Sequence, residues 1–416
     1  MKMLSGYRAL DLTTSRGYVC GRILADLGAD VIKIEPPGGD SGRMKAPFYG
    51  GKAHPDRSIF WFAYNLGKRA ITLNLKDLEG REIFKKLIQK ADFIIESFPT
   101  GYMETLGLDY DAVQKINSRI IYTSISPFGH GGPYGNFRGT DIVAMAMGGF
   151  MHLTGDPDRP PLRVSFPVAF NMLASTQAAL GTMIAFHHRQ RTGAGQHVDT
   201  SAQASVAATL GFVLPLWELN KVLARRVGSA WFRSSGDTAT QQRVIWLCRD
   251  GAVAFMAMGG MSGAQSNRAL VKWIDDEQMA DDFLRSIDWD KFDPRNVTQE
   301  FHQKVEERIG RFFMKHSKKE LHEGAHRRGI HLQMVSTFKD IMESEQLEAR
   351  HFWVDVSHPE LKTTLKYPGP FIKASETPVT LERRAPLIGE HNKDIYHDEL
   401  GISTTELENL AKRGVI

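Results

Sequence analysis

The stretch YRALDLTTSRGYVCGRILADLGADVIKIEPPGG, Tyr7 to Gly39, decides the architecture. Residues 7–12 read as a short strand, and the apolar run DVIKIE, 30–35, as a buried one. Between them, residues 21–27 carry Ile23, Leu24 and Leu27 at helical spacing, and Gly28 supplies a stop. Pro36-Pro37-Gly38-Gly39 then breaks the second strand. Strand, helix, strand over so short a span is a βαβ unit, which places its two strands in parallel.

The unit recurs further on. Residues 70–75 read as a strand, 78–90 as an amphipathic helix, and 93–96 and 119–124 as strands on either side of a helix at 110–116. A long, buried helix is expected over 170–189. Its end carries His187, His188, Arg189 and Arg191, cations favoured at a helix C-terminus. Thr192-Gly193-Ala194-Gly195 stops it, and 196–199 returns as a strand. The pattern implies an α/β fold with a parallel sheet covered by helices. Residues 222–338 differ: they are charge-rich, contain Trp231, Trp246 and Trp273 and a helical stretch at 299–315, and read as a second, smaller domain. The remainder, 339–416, offers a helix at 341–352, strand-like pieces, and a final helix at 404–412.

A chain of 416 residues, 42% hydrophobic and 24% charged, is globular and long enough for two cores. Lys and Arg number 52 against 48 Asp and Glu, a net charge of +4 that is spread along the chain. That balance argues against nucleic acid as the partner and leaves room for a basic pocket holding an anionic ligand. The opening MKMLSGYRALDL lacks the apolar run of a signal peptide, and no apolar stretch reaches membrane-spanning length. The sequence therefore predicts a soluble, cytoplasmic protein with no membrane partner. Cys20 and Cys248 are the two cysteines, which excludes a disulfide framework and a CxxC metal pair.

Several motifs have both a chemical and a plain reading. His322-Glu323-Gly324-Ala325-His326 has the HExxH spacing of a zinc site. Lys318-Lys319 and Arg327-Arg328 flank it and a glycine lies inside, so it is read as an exposed amphipathic helix with no metal. The glycine-rich loop Gly129 to Gly135 is neither a P-loop nor GxGxxG, and it suits either a close backbone approach to a ligand or an ordinary turn. Lys68, Arg69 and Arg138 are candidate phosphate contacts, with a solvated surface cation as the preferred reading for each alone. No GxSxG nucleophile elbow occurs.

Five segments in order resemble the class III CoA-transferase family, which includes formyl-CoA and carnitine CoA-transferases and the related 2-methylacyl-CoA racemases. They are LADLGADVIKIEPPGGD (24–40), NLGKRAITLNLKDLEGREIFKKLIQKADFIIESF (65–98), RIIYTSISPFGHGGPY (119–134), RTGAGQHVDTS (191–201) and LIGEHNKDI (387–395). The resemblance implies a large Rossmann-like domain over 1–221, a smaller α+β domain over 222–338, and a C-terminal segment, 339–416, that returns to the large domain. It also implies a dimer of interlocked rings, with the active site between domains near the subunit interface.

The family's chemistry depends on one aspartate. Its carboxylate attacks the acyl-CoA thioester to give a mixed anhydride and CoA thiolate, and an aspartyl-CoA thioester follows once the acceptor acid takes over. The racemases use the same position for proton transfer. Relatives carry it in a pattern like V-G-V-P-V-A-D. Here the stretch reads Val164-Ser165-Phe166-Pro167-Val168-Ala169-Phe170, so Phe170 stands at the aspartate position and the neutral Asn171 follows. Places where formyl-CoA transferase-like members have arginines near the nucleotide hold Pro36 and Thr105. Glu96-Ser97-Phe98-Pro99 stands for the more usual ENFRP, and Gly139-Thr140-Asp141 lacks the racemases' histidine. Leu73, Lys76, Phe98, Arg138 and Asp141 keep their type at CoA-facing positions.

The reading that follows is a catalytically silent subunit of a heteromeric class III CoA-transferase, inactive alone, with an aspartate-bearing homologous subunit as its partner. Phe166 and Met172 are expected to help Phe170 fill the silent site. The complex would move CoA from an acyl-CoA such as succinyl-CoA to an organic acid, with (R)-benzylsuccinate of anaerobic toluene degradation the leading candidate. CoA or its thioester is then the substrate of the complex, and no other cofactor is implied. The alternatives are an active homodimer with a displaced nucleophile, Asp156 or Asp158, and a non-catalytic acyl-CoA binding protein.

Overall fold

The computed structural model of the chain describes residues 2–235 and 238–416. They form two compact units. One comprises Met1–Met151, Arg163–Val222 and Gln346–Ile416; the other comprises His152–Leu162 and Leu223–Glu345.

The first unit is built on six strands: β1 (Arg8–Leu12), β2 (Asp30–Glu35), β3 (Arg69–Thr72), β4 (Phe93–Glu96), β5 (Ile121–Ser126) and β6 (Gln196–Ser201). Their order is β3-β2-β1-β4-β5-β6 and every pairing is parallel. The chain runs outward from β1 through β2 to β3, then restarts on β1's other side with β4. That reversal leaves a crevice at the carboxyl ends of β1 and β4, the usual ligand position in such sheets. Alternation sorts the side chains by face. Ala9, Val31, Phe93, Ile95 and Ile121 pack with the helices Tyr18–Asp26 and Ser175–Thr192, whereas Leu10, Ile32, Ile94 and Tyr122 pack with Leu78–Ile88 and Tyr110–Ile116.

Several expected elements shift, each for a local reason. The first helix starts at Tyr18 and not at 21, and Gly28, at φ 101°, turns the chain out of it. The strand expected over 70–75 ends at Thr72: Leu73 still donates to Glu35, but the Asn74 N–H turns to the carbonyl of Val415. The long helix expected over 170–189 opens with a π-helical turn, Ala169–Ala174, and becomes α-helical over Ser175–Thr192. It is also not buried all round, since Leu180 and Ile184 are about three-fifths exposed, at 60% and 62%. Arg189 turns inward from its last turn. Its guanidinium meets Asp92 at 3.0 Å and lies over the rings of Phe93, Phe186 and Tyr7. The helix expected over 341–352 is two short pieces, Phe338–Met342 and Glu345–Ala349, the first fixed by a Thr337–Asp340 capping box.

Two of the cations read as solvated are not. Lys68 is wholly buried; its ammonium meets Asp11 at 2.7 Å, the Tyr18 carbonyl at 2.9 Å and Asn65 at 2.9 Å. Arg69 is mostly covered and bridges Asp30 at 2.6 Å and Glu399 at 2.8 Å. Sequence alone hides this because the carboxylates come from strands and helices far along the chain. Gly21 lets the helix pass over the buried pair, since a Cβ there would lie 2.3 Å from Asp11 Oδ2.

The second unit has its own core around Trp246, Phe255, Trp273, Phe312 and Phe313. A three-stranded antiparallel sheet (Ile245–Cys248, Gly251–Phe255, Leu332–Met334) packs with the helices Gly260–Asp276, Gln299–Phe313 and Lys318–Arg328. The HExxH residues lie on the last of these, which Ser317 and Glu320 cap reciprocally. His326 and Glu323 face outward, as an exposed amphipathic helix requires. Among the described residues no single helix is long and apolar enough to cross a membrane; a pair bent by 73°, Ala202–Ala208 and Val213–Asn220, passes that test only jointly.

Candidate functional site

The crevice at the carboxyl ends of β1 and β4 is tied across by two short contacts. The Thr14 N–H donates to Ser97 Oγ at 2.8 Å, and the two hydroxyls lie 3.1 Å apart. Ser97 belongs to the Glu96-Ser97-Phe98-Pro99 turn, so this turn closes on the loop after β1. From the same loop, Arg16 lays its guanidinium over the ring of Phe170, 5.5 Å from the centroid. Cation and ring attract through the ring's negative face.

Phe170 is buried, 3% exposed, in the cluster that lines one face of the sheet. It sits on the π-helical turn, where the Leu173 N–H reaches back to the Val168 carbonyl at 3.0 Å. Such turns cost regular hydrogen bonding and recur at functional positions. Asp141 holds this turn. Its Oδ1 accepts the Phe170 N–H at 3.1 Å and its Oδ2 accepts the Val168 N–H at 3.2 Å. Ser175 Oγ donates to the Phe170 carbonyl at 2.7 Å. Asn171 is buried beside it, with its side-chain oxygen lacking a partner among the described residues. Phe166 and Met172 are about half and one-third exposed, so the ring that fills this place is Phe170 alone. A phenyl ring here can neither attack a thioester nor carry a proton, and the adjacent carboxylate of Asp141 already has both oxygens engaged with backbone N–H groups.

The five CoA-facing candidates divide. Leu73 is buried, and Phe98 packs against the same cluster while its ring lies 4.9 Å from Tyr102. The Phe98 N–H donates to Glu96 Oε2 at 2.7 Å. Asp141 belongs with Phe170. Lys76 and Arg138 are exposed, and neither has a carboxylate partner among the described residues. Asp156 and Asp158 lie in the 152–162 segment of the second unit.

One polar group was not singled out from the sequence. Glu96, Ser124 and Asp199 are cross-strand neighbours near the ends of β4, β5 and β6. His197 Nε2 lies 2.9 Å from Ser124 Oγ, and His130 meets Asp199 at 3.1 Å. Burial pushes the Glu96 carboxyl up. The Asp199 hydrogen bond raises His130, whereas burial and the nearby His130 lower His197. Glu96, Ser124, His130 and His197 border a cavity of about 240 Å³ beside the Glu96–Pro99 turn. One signal was available: Glu96 is a charged residue at the carboxyl end of the otherwise apolar strand β4, Phe93–Glu96. The Asp199–His130 contact also fixes the glycine-rich loop, since the His130 N–H donates to Asp199 Oδ2 at 2.8 Å.

Comparison with known proteins places this geometry. The model of CoA-transferase family III matches residues 4–392. The chain is 31% identical over 419 aligned residues to the succinyl-CoA:(R)-benzylsuccinate CoA-transferase subunit BbsE of Thauera aromatica, covering 99% of this chain and 98% of that protein. It is 32% identical to the formyl-CoA:oxalate CoA-transferase of Streptomyces avermitilis, with 100% of both chains covered. Among solved structures, a CAIB/BAIF family protein from Brucella suis superposes with a TM-score of 0.82 at 27% identity, covering 96% of this chain and 100% of that one. The chain therefore belongs to CoA-transferase family III, the class III CoA-transferases.

Proposed function

We propose that this chain is the catalytically silent subunit of a heteromeric class III CoA-transferase. The observation that carries the reading is Phe170. It stands at the position where relatives of the family carry the nucleophile, it is buried, and the carboxylate beside it, Asp141, is committed to backbone hydrogen bonds. Covalent CoA transfer needs a free carboxylate held against the thioester. A homologous subunit that bears the aspartate supplies it: that carboxylate attacks the donor thioester and CoA leaves as thiolate, the thiolate returns to the aspartyl carbonyl of the mixed anhydride and releases the donor acid, the acceptor carboxylate attacks the resulting aspartyl-CoA thioester, and the thiolate set free attacks the acceptor carbonyl to give acceptor-CoA and the free aspartate. This chain contributes the rest of the fold. Leu73, Lys76, Phe98, Arg138 and Asp141 are its CoA-facing positions. The two-domain division at about 222 and 338 is part of the same reading.

The similarity to a protein named as a subunit of a succinyl-CoA:(R)-benzylsuccinate CoA-transferase supports two further points. The donor is succinyl-CoA, and the acceptor is an aromatic dicarboxylic acid of the (R)-benzylsuccinate type, in the cytoplasm. CoA enters as substrate, and no other cofactor takes part.

The test is co-expression with an aspartate-bearing homologue and purification through a tag on this chain alone. The expected result is co-purification, with CoA transfer that is lost when the partner's aspartate becomes asparagine. Purified alone, this chain transfers no CoA from succinyl-CoA. A solitary chain that turns over acyl-CoA would overturn the reading.

A further inference from the structure

The Glu345–Ala349 helix ends in a turn that holds an unusual group of side chains. The His351 N–H donates to the Glu348 carbonyl at 2.8 Å and the Phe352 N–H to the Leu347 carbonyl at 2.9 Å. This forces His351 to φ 51°, the left-handed region that a non-glycine residue seldom adopts. Gly369, from the segment that follows, donates to the Phe352 carbonyl at 2.6 Å. Only glycine permits that approach, because a Cβ there would lie 2.4 Å from the Phe352 oxygen. The backbone of the site is therefore fixed before any ligand arrives.

Between this turn and residues 370–379 lies a cleft of about 460 Å³, inside the range of small-molecule sites. Its walls include Phe352, Phe371 and Ile372, the last two 52% and 41% exposed. Arg350, His351 and Lys373 border the same cleft. None of the three makes a side-chain hydrogen bond or ion pair with another described residue. Some exposed cations elsewhere in the chain are paired, as Arg285 is with Asp275 at 2.8 Å, Arg295 with Asp293 at 2.8 Å and Lys272 with Asp276 at 2.9 Å. Unpaired cations and exposed apolar side chains that border one cleft leave two needs unmet, a counter-charge and an apolar cover. One molecule meets both if it carries an anionic head and an apolar body.

We infer that this cleft is a binding site for a small organic carboxylate with an apolar body, separate from the Phe170 site. Arg350 takes the carboxylate, the geometry for which its forked donors are suited. Lys373 adds a second positive charge and His351 a ring N–H. Phe352, Phe371 and Ile372 cover the apolar body. Phe371 and Ile372 also border a neighbouring apolar cavity lined by Met172 of the Phe170 turn, but Arg350, His351 and Lys373 do not, and the site stands whether or not the silent-subunit reading does.

The test uses the full chain and 3-phenylpropionate as the probe, followed by titration calorimetry without CoA. The uncharged 3-phenylpropanamide is the control for the head, and succinate, which has no apolar body, the control for the walls. The expected result is saturable binding of 3-phenylpropionate, at least tenfold weaker binding of the amide and of succinate, and at least a tenfold loss in the double variant Arg350→Met, Lys373→Met with its unfolding midpoint unchanged. Equal binding of the acid and its amide would overturn the assignment. So would wild-type affinity in the double variant, or the absence of saturable binding. Transferase activity enters none of these readouts, so failure here and failure of the proposed function are distinguishable.

Discussion

The carboxylate of Asp141 holds the backbone of Phe170: Oδ1 accepts its N–H at 3.1 Å while Oδ2 accepts that of Val168 at 3.2 Å. One side chain, at the start of the helix Asp141–Met147, thus holds two amides at the N-terminal end of the π-helical turn. Truncating it leaves two amides without an acceptor. Asp141→Ala is expected to destabilise the first unit by about 1–3 kcal/mol, the usual range for buried donors left unpaired. Urea unfolding measures the loss, and amide exchange of Val168 and Phe170 should speed up ahead of the rest of the sheet.

The buried Asp11–Lys68 pair leads to a larger effect. Both side chains are fully buried, with the ammonium 2.7 Å from the carboxylate and Lys33 3.8 Å from the same group. Lys68 and Lys33 hold Asp11 low against the upward push of burial. Lys68→Met removes the nearer counter-charge and is expected to cost about 3–5 kcal/mol, as breaking buried pairs does. Gly21→Ala is expected to destabilise as well, because its new methyl group meets Asp11. Calorimetric unfolding of the two variants checks both.

Asp26 gives a pH dependence of opposite sign to the usual carboxylate. Burial raises it from 3.8 to about 6, with Arg22 offsetting only part of the effect, and its Oδ1 has no hydrogen-bond partner. The folded chain therefore holds this proton more tightly than the unfolded chain. The associated stability is full below pH 3.8 and is lost as pH rises through about 6. A rise from 3.8 to about 6 corresponds to roughly 3 kcal/mol. Asp26→Asn is expected to be more stable than the parent at pH 8, by about 1–3 kcal/mol, with the difference closing near pH 4. Thermal unfolding across that range is the measurement.

Much of the first unit was legible because apolar runs and glycine stops are local signals. The strand 30–35 lies at Asp30–Glu35, and the final helix at Thr404–Lys412, as expected. The HExxH residues were correctly assigned to an exposed helix from their charged flanks. Pairing at a distance was not legible. Lys68 looked like a surface cation because Asp11 lies 57 residues away, and nothing local marks a strand aspartate as its partner. The π-helical turn at Phe170 leaves no composition signature either. The carboxylate that holds its first amides, Asp141, belongs to another helix, which nothing local marks. The reading of Phe170 as standing at the family's aspartate position rests on the family pattern alone, whereas its burial and the Arg16 contact come from the fold.

The central claim is that the covalent intermediate forms on the partner and never on this chain. The most direct measurement is to incubate the co-purified complex with succinyl-CoA, trap acyl adducts with hydroxylamine, and locate the modified carboxyl by peptide mass spectrometry. The account predicts a hydroxamate on the partner subunit's aspartate alone, with every peptide of this chain unmodified, including those bearing Asp141, Asp156 and Asp158. A hydroxamate on any carboxyl of this chain, formed only when succinyl-CoA is present, would contradict it.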